Sequence, residues 1–217
     1  SIFFELNNTD GDLGIHALID GDAWDRLEIE DPNGRRLLKI KAKGRLKKQG
    51  LTELFFESAE PVFEELDPVD FFERFPEGIY EIEGRTLEGE EMESEVFVSH
   101  VMPAPADGVM VNDEEAAEDC DADPLPSVSE PVVISWDPVT ESHPELGAEG
   151  DVEVVHYEIV IEQEDLELEM KIKLPGDATS FESPPEFLAL GEEFKFEILV
   201  RGETGNQTAV ETCFELE

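Results

Sequence analysis

Apolar and polar residues alternate in short runs along most of the chain, the pattern of half-buried β-strands. Gly14 to Ile19 is one run, Trp24 to Glu30 a second and Leu37 to Ala42 a third. Between the last two lies Asp31-Pro32-Asn33-Gly34. Proline presets φ for a turn and glycine accepts positive φ, so these runs predict a hairpin. Ile79 to Arg85 and Met92 to His100 flank Leu87-Glu88-Gly89 and predict another. The stretch between the hairpins is different. Leu51 to Phe75 is crowded with phenylalanine, and Phe71 and Phe75 stand four apart. Asp67 can cap a helix with Pro68 as its first residue. The spacing predicts one short helix over 68–74, ended by Pro76-Glu77-Gly78.

The second half is more regular. Val109 to Val111 is short and apolar, Val132 to Trp136 follows an acidic loop, and Asp137-Pro138 closes that strand. Val154 to Glu162, Leu166 to Leu174, Phe194 to Val200 and Thr208 to Leu216 all alternate. Seven short strands in about 115 residues predict an antiparallel sandwich. Met102-Pro103-Ala104-Pro105-Ala106 reads as a linker. The predicted organisation is therefore mostly β: two tandem β-sandwich domains, 1–102 with a short helical insertion and 103–217. The chain opens almost inside a strand pattern, so Ser1 reads as the trimmed start of a mature chain.

Charge changes what such sandwiches are expected to meet. The 217 residues carry 56 Asp and Glu against 15 Lys and Arg, a formal net charge of -41. A phosphate backbone needs a basic surface, so nucleic acid is not an expected partner. Anionic membrane surfaces are disfavoured for the same reason, and no apolar run is long enough for membrane insertion as a helix. The acidity is not that of a disordered chain, because 40% of residues are hydrophobic and 14 are Phe. Residues 1–102 hold 25 acidic and 11 basic side chains; residues 103–217 hold 31 and 4.

Four pieces of the second half carry a family resemblance. Val133-Ile134-Ser135-Trp136-Asp137-Pro138-Val139 resembles the second strand of a fibronectin type III domain, with its buried Trp. Tyr157 sits where that family places an aromatic on its third strand. Leu188-Ala189-Leu190-Gly191-Glu192-Glu193-Phe194 is similar to the run into the sixth strand, and Gly205-Asn206-Gln207-Thr208 to the turn before the last. Leu190 replaces the family's Pro, and Phe194 replaces the Tyr whose hydroxyl closes the tyrosine corner. A corner held by packing alone is expected. The resemblance implies a binding or spacer module without catalytic residues. The end of the first half, Phe75 to Ile82, resembles the penultimate strand of bacterial immunoglobulin-like modules.

In such a sandwich the loop after the first strand lies at the pole where the last strand ends. Cys120 and Cys213 then come within reach of one disulfide; the alternative is two unrelated thiols. A bridge implies an oxidising compartment. Asp10, Asp12, Asp20 and Asp22 fall in two Asp-Gly-Asp turns that can converge on calcium, which takes six to eight oxygens, or can be ordinary turns. Eight of the fifteen cations crowd into fourteen residues: Arg35, Arg36, Lys39, Lys41, Lys43, Arg45, Lys47 and Lys48. They read as a strand face paired with neighbouring carboxylates, or as a patch that docks an acidic surface. Glu141, His143 and Glu145 read as a surface loop. No nucleophile elbow, phosphate loop or dinucleotide fingerprint occurs.

The expected function is a non-enzymatic, exported binding or scaffold module of bacterial type, periplasmic or extracellular, with a protein or surface glycan as partner. No cofactor is expected apart from possible calcium. The alternative is an accessory carbohydrate- or calcium-binding module of a secreted hydrolase system. That alternative predicts exposed aromatics, and Trp24, Trp136, Tyr80 and Tyr157 are the rings available beyond Phe.

Overall fold

The computed structural model describes residues 1–217. It groups them into two units: Ser1–Phe4 with Leu13–His100, and Glu5–Asp12 with Val101–Glu217. The first strand, β1 (Ile2–Asn7), therefore contributes its start to one unit and its end to the other.

The first unit is organised by one long strand. The runs Gly14–Ile19 and Trp24–Glu30 are both parts of β2 (Asp12–Glu30), and Asp20-Gly21-Asp22 is not a turn. The strand survives its polar middle because it changes partners there. His16 to Asp20 pair with β4 (Leu51–Glu57). From Arg26 onward the strand pairs with β3 (Arg36–Lys41) on one edge and β5 (Gly78–Thr86) on the other. Both changeovers are register irregularities around Trp24. The predicted hairpin turn has the expected geometry: the amide of Gly34 donates to the carbonyl of Asp31 at 2.9 Å, and Gly34 takes φ +69°. β5 pairs in turn with β6 (Glu91–Val98), whose outer edge carries Glu91, Glu93 and Glu95. Charges on an edge strand discourage pairing with other chains.

Two helices decorate this unit. α1 (Gly44–Gln49) buries no residue. α2 (Pro68–Arg74) is the predicted helix, with the Asp67 carboxylate accepting from the amide of Val69 at 2.8 Å. α2 drives Phe71 into the core, where it meets Phe4 at 5.4 Å and Phe75 at 4.9 Å between ring centroids. Phe72 and His100 complete the aromatic cluster, 4.7 Å apart.

The second unit is a sandwich of two sheets. One runs β13 (Ser180–Glu182), β10 (Val133–Ser135), β7 (Met110–Val111), β8 (Glu114–Glu115). The other contains β12 (Leu168–Pro175), β11 (Val154–Gln163), β14 (Glu193–Gly202) and β15 (Gln207–Leu216), in that order. β9 (Ser127–Val128) pairs in parallel with the end of β15. The period-2 alternation of β11 and β14 sends Tyr157, Ile159, Ile161, Phe194, Phe196, Ile198 and Val200 into one core with Trp136 and Phe214. Trp136 packs on Tyr157 at 5.2 Å, and the Tyr157 hydroxyl accepts from the amide of Val139 at 2.9 Å. Phe194 stacks on Phe214 at 5.5 Å and meets Phe187, on α3 (Pro185–Leu188), at 6.1 Å. The corner is thus closed by rings rather than by a hydroxyl.

The stretch read as a linker is packed. Met102 is fully buried, its carbonyl accepts from the amide of His143 at 2.8 Å, and the carbonyl of Pro103 accepts from the Thr208 hydroxyl at 2.7 Å. Its prolines and small residues suit close packing as well as they suit a free segment, which is why composition misleads here. Truncating Phe71, only 2% exposed, should leave a cavity ringed by Phe4 and Phe75. Phe71→Ala is expected to lower unfolding free energy by about 3–5 kcal/mol, measured by denaturant titration of the full chain.

Candidate functional site

The outer face of the β11–β14–β15 sheet carries charge at unusual depth. Lys195 on β14 places Nζ 2.9 Å from Glu211 and 3.6 Å from Glu197. Asn7 Nδ2 also donates to Glu211, at 3.1 Å. Glu197 is mostly buried. Burial pushes its carboxyl up to about 7, and Glu211, Glu162 and Glu5 push the same way against the pull of Lys195. Gln207 donates to Glu5 and accepts from Arg201 at 2.7 Å. Alternation on β14 and β15 turns these groups away from the apolar core.

A cleft of about 450 Å³ opens beside this face, within the second unit. Its apolar lining includes Ala106, Val109, Ala116 and Val210; Asp107, Glu115, Glu118, Asp119 and Glu211 line it as well, with no Lys or Arg. Thr212 lies deepest among the polar residues, 5% exposed, with Oγ1 lacking a hydrogen-bond partner. Nearby Asp10 is raised above the usual aspartate range by burial and then by Glu211, with Lys195 pulling the other way and Asp119 adding a smaller push upward. The cleft is therefore lined by carboxylates without a cation of its own, around a smaller apolar part.

Covalent chemistry fixes part of its wall. Cys120 and Cys213 form a disulfide, S–S 2.04 Å, across 93 positions. Asp119 and Thr212, the residues just before the two cysteines, both line the cleft. The bond ties the acidic loop to β15 at that point.

The other candidate residues are dispersed. Asp10 closes a turn in which Asn7 Oδ1 accepts from the amides of Thr9 and Asp10. Asp12 begins β2, and Asp20 and Asp22 lie in its middle. No group of three or more His, Cys, Asp or Glu side chains takes up a geometry that would hold a metal ion. The basic run is strand only in part, because α1 takes Arg45, Lys47 and Lys48. Straight-chain residues between two glycines favour a helical turn there, and a pattern without buried positions gives no apolar period to reveal it. Arg36 and Lys39 do pair across to Glu28 of β2, and hold its carboxyl below the ordinary range through hydrogen bonds from Lys39 and then Arg36. Lys47 reaches Asp25 at 3.6 Å.

His143 is buried rather than on a surface loop. Its Nδ1 accepts from the amides of Glu145 and Leu146, and Nε2 lies 3.0 Å from Asn8 Oδ1. That arrangement needs the neutral ring, and burial lowers its pKa accordingly. Trp24, Trp136, Tyr80 and Tyr157 are all buried, so none offers a sugar-stacking surface. The cleft itself was not foreseen. Its one sequence signal was the acidic loop.

No family model and no curated protein matches the sequence. Among solved structures, a two-domain fibronectin type III segment of chicken tenascin is 11% identical, with 99% of this chain and 97% of that one covered at a TM-score of 0.32. Fibronectin(III)-like modules of Clostridium thermocellum CbhA are 10% identical, covering 100% and 94% at 0.33. A bacterial ice-binding adhesin is 10% identical, covering 100% and 64% at 0.28. The strand order of the second unit stands independently of these scores. Its fold is fibronectin type III-like.

The raised carboxyl of Glu197 has a testable consequence. Between the unfolded value of 4.5 and about 7, the folded chain holds a proton that the unfolded chain has released. Stability from this group therefore falls as pH rises through that window and stays low above it. Glu197→Gln is expected to raise stability at pH 8 by up to about 3 kcal/mol and to change little at pH 4. Paired denaturant titrations at the two pH values measure the difference.

Proposed function

We propose that this chain is a non-enzymatic, exported module that binds a protein or a surface glycan and spaces other parts outside the cytoplasm. The observation that carries the reading is a fibronectin type III-like sandwich stapled by a disulfide at the mouth of an acidic cleft. Disulfides persist in oxidising compartments. A rigid sandwich that carries polar groups on its loops is a scaffold suited to recognition. The high surface charge supports the same reading, since it keeps such a module soluble and its edges apart in salty surroundings. No helix is long and apolar enough to cross a membrane.

The test uses intact cells of the native source. A membrane-impermeant amine-reactive crosslinker should label the chain and shift it into higher-mass adducts. Thiol trapping of the same unreduced, denatured protein should find no free thiol. A chain left unlabelled, with both cysteines free, overturns the exported reading. A labelled chain that never forms adducts overturns its role in surface interaction.

A further inference from the structure

Within the first unit four strands lie side by side in the order β3, β2, β5, β6, each antiparallel to its neighbour. Directly opposed residues of such strands share a face, so the register defines rows across the sheet. One row is Lys41, Arg26, Arg85, Glu91; the next is Lys39, Glu28, Glu83, Glu93; the third is Arg36, Glu30, Glu81, Glu95. All three lie on the face away from the core, because Leu27, Ile29, Tyr80 and Ile82 on the alternate positions are buried. Every row therefore begins with a cation on β3 and ends with a carboxylate on β6.

β3 and β6 are also edges: β3 pairs only with β2, and β6 only with β5. Arg36, Lys39 and Lys41 are exposed, as are Glu91, Glu93, Ser94, Glu95 and Phe97. On the inner face Leu38 and Ile40 of β3, and Met92 and Val96 of β6, are only half-buried. Each edge thus offers a free row of backbone groups beside an incompletely covered apolar flank. Arg36 and Lys39 share the one carboxylate of Glu28, and Lys41 makes no ion pair, so positive charge on β3 is left unmatched.

Charge decides what can add to these edges. β6 against β6 opposes carboxylates, and β3 against β3 opposes cations; both arrangements are destabilising. Surface charge keeps like edges apart, and the unlike pair is the exception. Its geometry also works. β6 runs parallel to β2, and β3 antiparallel to it. A second copy brought alongside in the same orientation presents its β3 antiparallel to β6, with the same face outward. Continuing the rows sets Glu91 opposite Lys41, Glu93 opposite Lys39, Glu95 opposite Arg36, and Met92 opposite Ile40.

We propose that copies of this chain join head to tail through their first units, the acidic β6 of one adding to the basic β3 of the next and continuing its sheet. Each copy has one edge of either kind, so the contact is heterologous and leaves an edge free for a further copy. The net charge of -41 opposes approach from a distance. At physiological salt the Debye length is about 8 Å, so the charges that face one another across the seam outweigh those far from it. The inference goes beyond the binding-module reading and does not rest on it.

Sedimentation velocity of the full chain at physiological salt, from micromolar to millimolar concentration, should show the mass rising above the 24.3 kDa of one chain. Hydrogen exchange in β3 and β6 should slow over the same range. Lys41→Glu and Glu91→Lys should each weaken association by up to about ten-fold, since each sets like charges in one row. Lys41→Glu together with Glu91→Lys in one chain should restore it. The two residues lie on opposite edges of the sheet, so a folding defect caused by one change would not be repaired by the other. A chain that keeps the mass of a single copy at millimolar concentration overturns the proposal. So does association that neither single reversal weakens, that the paired swap fails to restore, or that protects the lysine-bearing edge strand β12 in place of β3.

Discussion

Fifty-six carboxylates in 217 residues set the constraint that the rest of this structure answers. Like charges at such density destabilise any compact state, and each carboxylate drawn from water adds a desolvation cost. The fold keeps most of them solvated and handles the few that it buries one at a time. Glu28 is clasped by Arg36 and Lys39 and stays charged. Glu197 has a more distant cation, shared with Glu211, and shifts toward its neutral form. The difference begins with burial, which drives Glu197 toward neutrality, and one cation among four carboxylates cannot offset it as two cations facing Glu28 do.

Because charge works against compaction, cohesion has to come from apolar faces that exclude it. In the first unit that face is aromatic. Phe4 on β1 meets Phe71 and Phe72 of α2, and Phe75 and His100 close the ring. In the second unit the alternation of β11 and β14 supplies aliphatic and aromatic layers, with Trp136 on Tyr157 at one place and Phe194 on Phe214 at another. The two solutions leave different surfaces. Phe55 and Phe97 remain largely exposed in the first unit, while the second presents carboxylates around its cleft.

What the sequence revealed follows from the same contrast. β11, β14 and β15 were legible because alternation and burial coincide over eight or more residues. α2 was legible because its cap and its apolar spacing agree. The continuity of β2 was hidden, because Asp20-Gly21-Asp22 has turn chemistry and only a change of partner strand keeps it extended. α1 was hidden because no residue in it is buried. The stretch 102–106 was misread because proline and alanine serve both free linkers and close packing. Long-range pairing decides β2 and the stretch 102–106, and no local pattern records it.

The cleft is the extreme case, since its residues come from positions 8–9, 106–109, 115–119 and 210–212. The acidic loop was visible, but its apolar lining and Thr212 belong to other segments. In isolation that loop has no reason to be ordered, for seven acidic residues in twelve repel one another. The Cys120–Cys213 bond supplies the reason. It holds the loop beside β15, from which it would otherwise drift away. A disulfide here does more than stabilise the chain: it keeps negative charge beside the cleft against electrostatic repulsion.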